Sequence, residues 1–257
     1  MFVAAGETAG IEGNTRFPAE LMIDNLLVAA SVIPAAARAS VRKLQYIASS
    51  CIYPKIAPQP LAISSLWSGP LEPTSAPYAS AKLTGVMLCE AYRRQQQAPF
   101  FAAIAADPYG PGDDFGSERS HVVAALIARM HAAKTRGVGE VEIWGSGEPR
   151  REFIYIDDLA DALICAMRSY EASSPINVGV GVWTSIRELA ELVREVVGFP
   201  GRLRFDRSRP DGMPFKGLDS TVIAGLGWKP CVTLREGLQR TYRSFRESQN
   251  EGERDRP

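Results

Sequence analysis

Tyr78 and Lys82 stand four residues apart in YASAKLTGVMLCEAYRRQ, where apolar residues recur at helical spacing, so both fall on one helix face. An ammonium one turn from a phenol favours the phenolate. It is expected to lower a pKa that starts near 10 and to make the hydroxyl a proton donor or acceptor near neutrality. Upstream, Ser49 follows a short apolar run, Leu44 to Ala48, that reads as a buried strand. A serine at that strand end can hold a reacting oxygen, so the chemistry suggested is proton transfer at a carbonyl or alkoxide. The Tyr and Lys alone would describe an ordinary amphipathic face. Their weight comes from the long Pro- and Ser-rich connection between Tyr53 and Pro77, which ends directly at the Tyr.

Several elements must position these groups. Residues Pro18 to Ser40 carry Leu21, Ile23, Leu26, Leu27, Ala30 and Val32 at helical spacing, with Pro34 placed to kink the helix. PFFAAIAADPY reads as a second buried strand, ending at Asp107. A helix is expected to open at Ser120. VEIWGSGEPRREFIYIDDLADALICAM gives strand, turn, strand and a helix from near Asp157, with Asp157 and Asp158 as structural first-turn carboxylates. Ser185 with Glu188 forms a capping box. Gly6, Gly10 and Gly13 follow a short apolar run, Phe2 to Ala5, but their GxxxGxxG spacing is not the GxGxxG of a dinucleotide fingerprint. RESQNEGERDRP, 246–257, reads as a disordered polar tail.

Composition narrows the classes. With 257 residues and 46% hydrophobic content, the chain can bury a sizeable core. Lys plus Arg equals Asp plus Glu at 29 each, so no general attraction to nucleic acid or an anionic membrane is implied. No apolar run approaches the ~18 residues of a membrane span. Cys51, Cys89, Cys165 and Cys231 are scattered and read as reduced thiols, three of them packing residues. His121 and His131 are too few to support a metal site, so no metal is expected.

SSCIYPK, LEPTSAPYASAK, DPYGPGDDF, SHVVAALIARM, WGSGEPRREFIYIDDLA, INVGVG and LGWKP, in this order, resemble the GDP-L-fucose synthases, which are extended short-chain dehydrogenase/reductases. The resemblance runs from about Phe2 to about Phe245. It implies an α/β fold: a Rossmann-like doubly wound parallel sheet over 1–107, with a return segment near 153–180, and a smaller α/β substrate-binding domain over most of 108–257. It places VAAGETAGI after the family's fourth strand, with the glycine-rich phosphate loop lying upstream of the segment matched here. The expectation is an N-terminally truncated dinucleotide fold: a fragment of a longer enzyme, or a natural truncation that has lost most of its cofactor affinity.

The resemblance also implies roles. Cys51 as base and His121 as acid would invert C3 and C5 of GDP-4-keto-6-deoxy-mannose. NADPH would then reduce C4, with Tyr78 protonating the new alkoxide, Lys82 tuning Tyr78, and Ser49 orienting the carbonyl. Ala4, Ala5, Tyr78, Lys82 and His121 would face the cofactor; Asp107, Val122, Arg129, Trp144, Arg151 and Lys216 would face the substrate. Asn25 either holds a water near the lysine or is a surface helix residue. Asp107 replaces the family's asparagine, and an aspartate there is expected to repel a diphosphate, which keeps two alternatives open: another nucleotide-sugar epimerase or dehydratase, and a non-catalytic homologue that binds nucleotide sugar. A homodimer through the helices near 20–38 and 78–97 and a cytoplasmic location complete the expectation.

Overall fold

The computed structural model describes residues 1–116 and 118–254. Strand β1 (Phe2–Val3) leads through helix α1 (Ile11–Arg16) and helix α2 (Pro18–Arg38) to β2 (Leu44–Ser49), and α3 (Ala76–Gln96) leads on to β3 (Phe100–Ala105) and β4 (Asp107–Tyr109). Then come α4 (Val122–Thr135), β5 (Glu140–Trp144), β6 (Arg150–Arg151), β7 (Phe153–Tyr155), α5 (Ile156–Ser169) and β8 (Ile176–Val178). The chain closes with β9 (Thr184–Ser185), α6 (Ile186–Val197), β10 (Arg202–Asp206), β11 (Phe215–Lys216), α7 (Thr221–Gly225) and α8 (Leu234–Arg254).

The main sheet is parallel, in the order β1-β2-β3-β8, with Leu44 to Ser49 registered on Phe100 to Ala105 and Ala103 to Ala105 on Ile176 to Val178. Strands covered on both faces read as continuous apolar runs, as FFAAIA does in β3, where every residue is buried. Three small sheets flank it: β10 with β5, β11-β6-β9, and β4 with β7. Because β1, β2 and β3 run parallel, their carboxyl ends lie on one edge, where ligands of open α/β sheets bind.

Among the described residues three apolar clusters result, the smallest being Ala9, Leu21 and Tyr78 beside the cavity. The largest takes Leu44, Tyr46, Phe100, Phe101, Ile104, Ile154, Ile176 and Val178, and also Met213, Leu218, Ile223 and Trp228, so a second return segment beyond 153–180 joins it. The other holds Ile127, Met130, Ile143, Phe153, Leu189, Val193, Leu238 and Phe245. Among the described residues α2 is the one helix long and apolar enough to cross a membrane, by length and composition only. Here it packs along α3 with Leu21, Asn25, Ala29, Ile33 and Ala36 buried, and it continues through Pro34.

Other expectations shift. Helix α4 starts at Val122 rather than Ser120, with His121 as its N-cap residue. Helix α5 is preceded by Tyr155, and Asp158 accepts from the backbone N–H groups of Cys231 and Val232 at 3.1 and 2.9 Å instead of capping its own helix. The capping box forms as read: Glu188 N donates to Ser185 Oγ at 3.1 Å, and Ser185 N to Glu188 Oε2 at 2.7 Å. The tail read as disordered is helical through Arg254, as a continuation of α8, while residues 255–257 lie outside the described residues. Cys89 is buried and Cys165 half-buried, but Cys231 is exposed, its Sγ donating to Lys229 O at 3.7 Å.

Candidate active site

The carboxyl ends of β1, β2, β3 and β5 and the start of α4 enclose a cavity of about 460 Å³. Ser49, Cys51, Tyr78, Lys82 and His121 all line it, as do Ala4, Asp107, Val122, Arg129, Trp144, Arg151 and Lys216. Ala5, exposed between Ala4 and Gly6, does not.

Each group has a local reason for its place. Ser49 ends β2 and its Oγ accepts from Cys51 N at 3.2 Å, capping the 3-10 turn Ser50–Ile52 that carries Cys51. Tyr78 and Lys82 lie in the first two turns of α3, both buried. Lys82 Nζ lies 6.0 Å from the Tyr78 ring centre and 5.4 Å from that of Tyr46, and donates to Ile47 O at 3.4 Å. The expected depression of the Tyr78 phenol is not seen. Burial raises it well above 10, Cys51 and Asp107 add to that, and the hydroxyls of Thr8 and Ser49 oppose it. Desolvation also lowers Lys82 to about 8. Burial outweighs the one neighbouring charge that the local sequence supplies.

Gly6 has φ +150°, and a Cβ there would stand 2.5 Å from Asn25 Oδ1 and 3.0 Å from Lys82 Nζ. Asn25 is a buried residue, not a surface one: its Nδ2 donates to the carbonyls of Glu7 and Leu21, both at 2.7 Å, and its Oδ1 is buried without a hydrogen-bond partner in the structure. An orphaned acceptor beside a lysine, under a glycine that leaves room, fits a small polar group or the amide end of a cofactor. Gly10 and Gly13 do not form a phosphate cradle. Cβ atoms there would meet Ser120 O at 2.6 Å and, for Gly13, Ala9 Cβ at 2.6 Å.

On the other wall, the aspartate expected to repel a diphosphate is neutralised, for Asp107 Oδ1 pairs with Lys216 Nζ at 2.6 Å. Lys216 is therefore not a free phosphate ligand. Arg129 donates to Glu142 O, and Arg151 Nη1 to Arg150 O at 2.9 Å and Met213 O at 2.5 Å. Burial lowers both guanidinium groups from their usual range. Trp144 carries Arg209 over its ring at 4.7 Å.

Thr8 and Glu72 are among the lining residues that escaped the sequence reading. Thr8 Oγ1 bonds His121 Nε2 at 3.2 Å and also acts on the Tyr78 phenol, linking two groups expected to move protons. Nothing in GETAG signals this. Buried Glu72 accepts from Thr74 N at 2.9 Å and faces Arg151; its position just ahead of the helix of Tyr78 was the available clue.

Residues 1–179 match the model of the NAD dependent epimerase/dehydratase family. The chain belongs to that family. Within it, a probable GDP-L-fucose synthase of Oryza sativa subsp. japonica is 50% identical over 96% of this chain and 75% of its own length, so the chain spans about three quarters of that relative. Among solved structures, a GDP-6-OMe-4-keto-L-xylo-heptose reductase from C. jejuni superposes with a TM-score of 0.91 at 30% identity, covering 96% of this chain and 82% of that one. A GDP-mannoheptose C4 reductase from Campylobacter jejuni with NADP bound gives 0.83 at 30% identity, covering 95% and 82%. The chain is thus a homologue of the GDP-L-fucose synthases with the Rossmann-like α/β fold of this epimerase family.

Proposed function

We propose that the protein is a nucleotide-sugar 3,5-epimerase and NADPH-dependent 4-reductase that makes GDP-L-fucose from GDP-4-keto-6-deoxy-D-mannose. The observation that carries this reading is the convergence of Ser49, Cys51, Tyr78, Lys82 and His121 on one cavity. The C4 ketone acidifies C3 and C5. Cys51 removes a proton from each in turn, and His121 returns one on the opposite face, so the net change is inversion. Bound NADPH supplies hydride to C4. Tyr78, which burial holds as the neutral phenol, gives its proton to the C4 oxygen. Lys82 supplies positive charge beneath it, and Ser49 holds the carbonyl. The nicotinamide end of NADP(H) would lie against Ala4, Gly6, Tyr78 and Lys82, while Arg129, Trp144 and Arg151 would meet the GDP moiety. In the same reading, 1–107 with 153–180 forms the dinucleotide-binding part, and most of 108–257 the substrate part.

Exposed Met22, Ile23 and Leu27 on α2 and Met87 on α3 support a homodimer through these helices. Four unpaired cysteines agree with a cytoplasmic location. A second reading, C4 reduction of a different GDP-sugar, is favoured by Asp107 at the sugar end of the cavity.

The test supplies GDP-4-keto-6-deoxy-mannose and NADPH and follows absorbance at 340 nm together with solvent deuterium entering C3 and C5. Cys51→Ser should abolish exchange, whereas Tyr78→Phe should retain exchange and lose reduction. NADPH oxidation without exchange at either carbon would replace the first reading with the second.

A further inference from the structure

Lys216 ends β11 with a side chain 9% exposed. Its Nζ lies 2.6 Å from Asp107 Oδ1 and 3.7 Å from Cys51 Sγ. The backbone that carries it is pinned on both sides. Gln59 Nε2 donates to Phe215 O at 3.1 Å, Leu61 N to Gly217 O at 2.7 Å, and Leu218 N to Glu152 Oε2 at 2.7 Å. A lysine fixed in this way is not a mobile phosphate ligand. Burial disfavours its ammonium, but Asp107 and Cys51 outweigh that and Arg151 opposes them, leaving Lys216 above the usual lysine range.

We propose that Lys216, anchored by Asp107, is the positioning residue for Cys51: its ammonium donates to Sγ, aims the sulfur into the cavity and compensates its negative charge. This rests on Cys51 acting as the base. In that step the thiolate takes the proton from C3 or C5, the C–H electron pair moves into the C4 ketone to give an enolate, and Cys51 becomes a thiol. Lys216 keeps its own proton throughout. The charged or titratable groups around the sulfur are Tyr78 from α3, Asp107 from β4, Arg151 from β6 and Lys216 from β11, with Glu72 facing Arg151. Of these, Lys216 is the one that donates to Sγ.

The test compares alkylation of Cys51 by anionic iodoacetate and neutral iodoacetamide at one pH, in the protein without sugar or cofactor, with adducts assigned by mass spectrometry. A nearby cation favours the anionic reagent. Lys216→Met should lower the iodoacetate-to-iodoacetamide rate ratio at Cys51 by roughly fivefold or more and leave the ratio at exposed Cys231 unchanged. Lys216→Arg should restore most of it. Should Lys216→Met fail to fold with Asp107 unpaired, Asp107→Asn/Lys216→Met is compared with Asp107→Asn, against which the same fall is expected. In turnover, Lys216→Met should lower the exchange rate at saturating sugar with little change in KM. An unchanged alkylation ratio in a folded variant overturns the positioning role. Exchange persisting in Cys51→Ser overturns Cys51 as the base on which this rests, so the two failures are separate.

Discussion

Lys82→Met should make the fold more stable at neutral pH while removing its chemistry. Desolvation lowers Lys82 from 10.5 to about 8. At about 1.36 kcal/mol per pH unit, that corresponds to about 3 kcal/mol against burying the ammonium. Contacts of Nζ with the Tyr46 and Tyr78 rings and with Ile47 O offset roughly 1 kcal/mol of this. The net gain for the isosteric methionine is therefore about 2 kcal/mol, or roughly 4–8 °C in Tm for a chain of this size. The pH dependence has a definite sign. Below about pH 8 both folded and unfolded wild type carry the proton, and the penalty is complete. Between about 8 and 10.5 the unfolded chain holds a proton that the folded one has released, so wild-type stability from this group rises with pH. The methionine variant's advantage should thus be full at pH 7 and fade towards pH 10. Urea unfolding of both proteins at a series of pH values measures it, and groups shared by the two cancel. A variant less stable than wild type at pH 7, or a gap that does not change with pH, would refute the reasoning.

Gly85→Ala should lower Tm by a few degrees, since its Cβ would stand 2.3 Å from Tyr46 Cζ; overpacking of roughly 1–3 kcal/mol exceeds the roughly 1 kcal/mol an alanine gives a helix. An unchanged or higher Tm would show that Tyr46 yields freely. Cys89, fully buried with its thiol pushed up to about 12 by burial and then by Glu90, should resist iodoacetamide at pH 8 while Cys231 labels, and should label only in urea. Equal native rates at the two would contradict its burial.

What the sequence made legible was local. Ser49 at the end of β2, Tyr78 with Lys82 on one face of α3, and the Ser185–Glu188 cap are each set by neighbours within a few positions, where period and propensity act. The motifs of the family resemblance extended that reading to Cys51, His121 and the cavity wall of Arg129, Trp144 and Arg151. What stayed hidden was long-range. Lys216 meets Asp107 across 109 positions and Cys51 across 165, and no period in the sequence encodes such a meeting. The phenol of Tyr78 was misjudged for the same reason, because burial depends on the whole fold rather than on a residue four positions away. The connection between Tyr53 and Pro77 looked structureless, yet its bridges Pro54 to Leu71 and Leu61 to Leu218 fix the strand that brings Lys216 to the site.

Arg151 and Glu152 are adjacent and face opposite ways. Arg151 lines the cavity, while Glu152 is buried and accepts from Gly181 N at 2.6 Å and Leu218 N at 2.7 Å. Since strand side chains alternate with a period of two, a one-residue slip on entering β6 would turn a carboxylate into the cavity wall and leave an arginine among backbone N–H groups that can only donate. The dipeptide therefore acts as a frame marker. The turn from Trp144 to Arg150 exposes only Glu148 and Arg150, so a single residue added or deleted there should be tolerated only where a bulge restores the alternation.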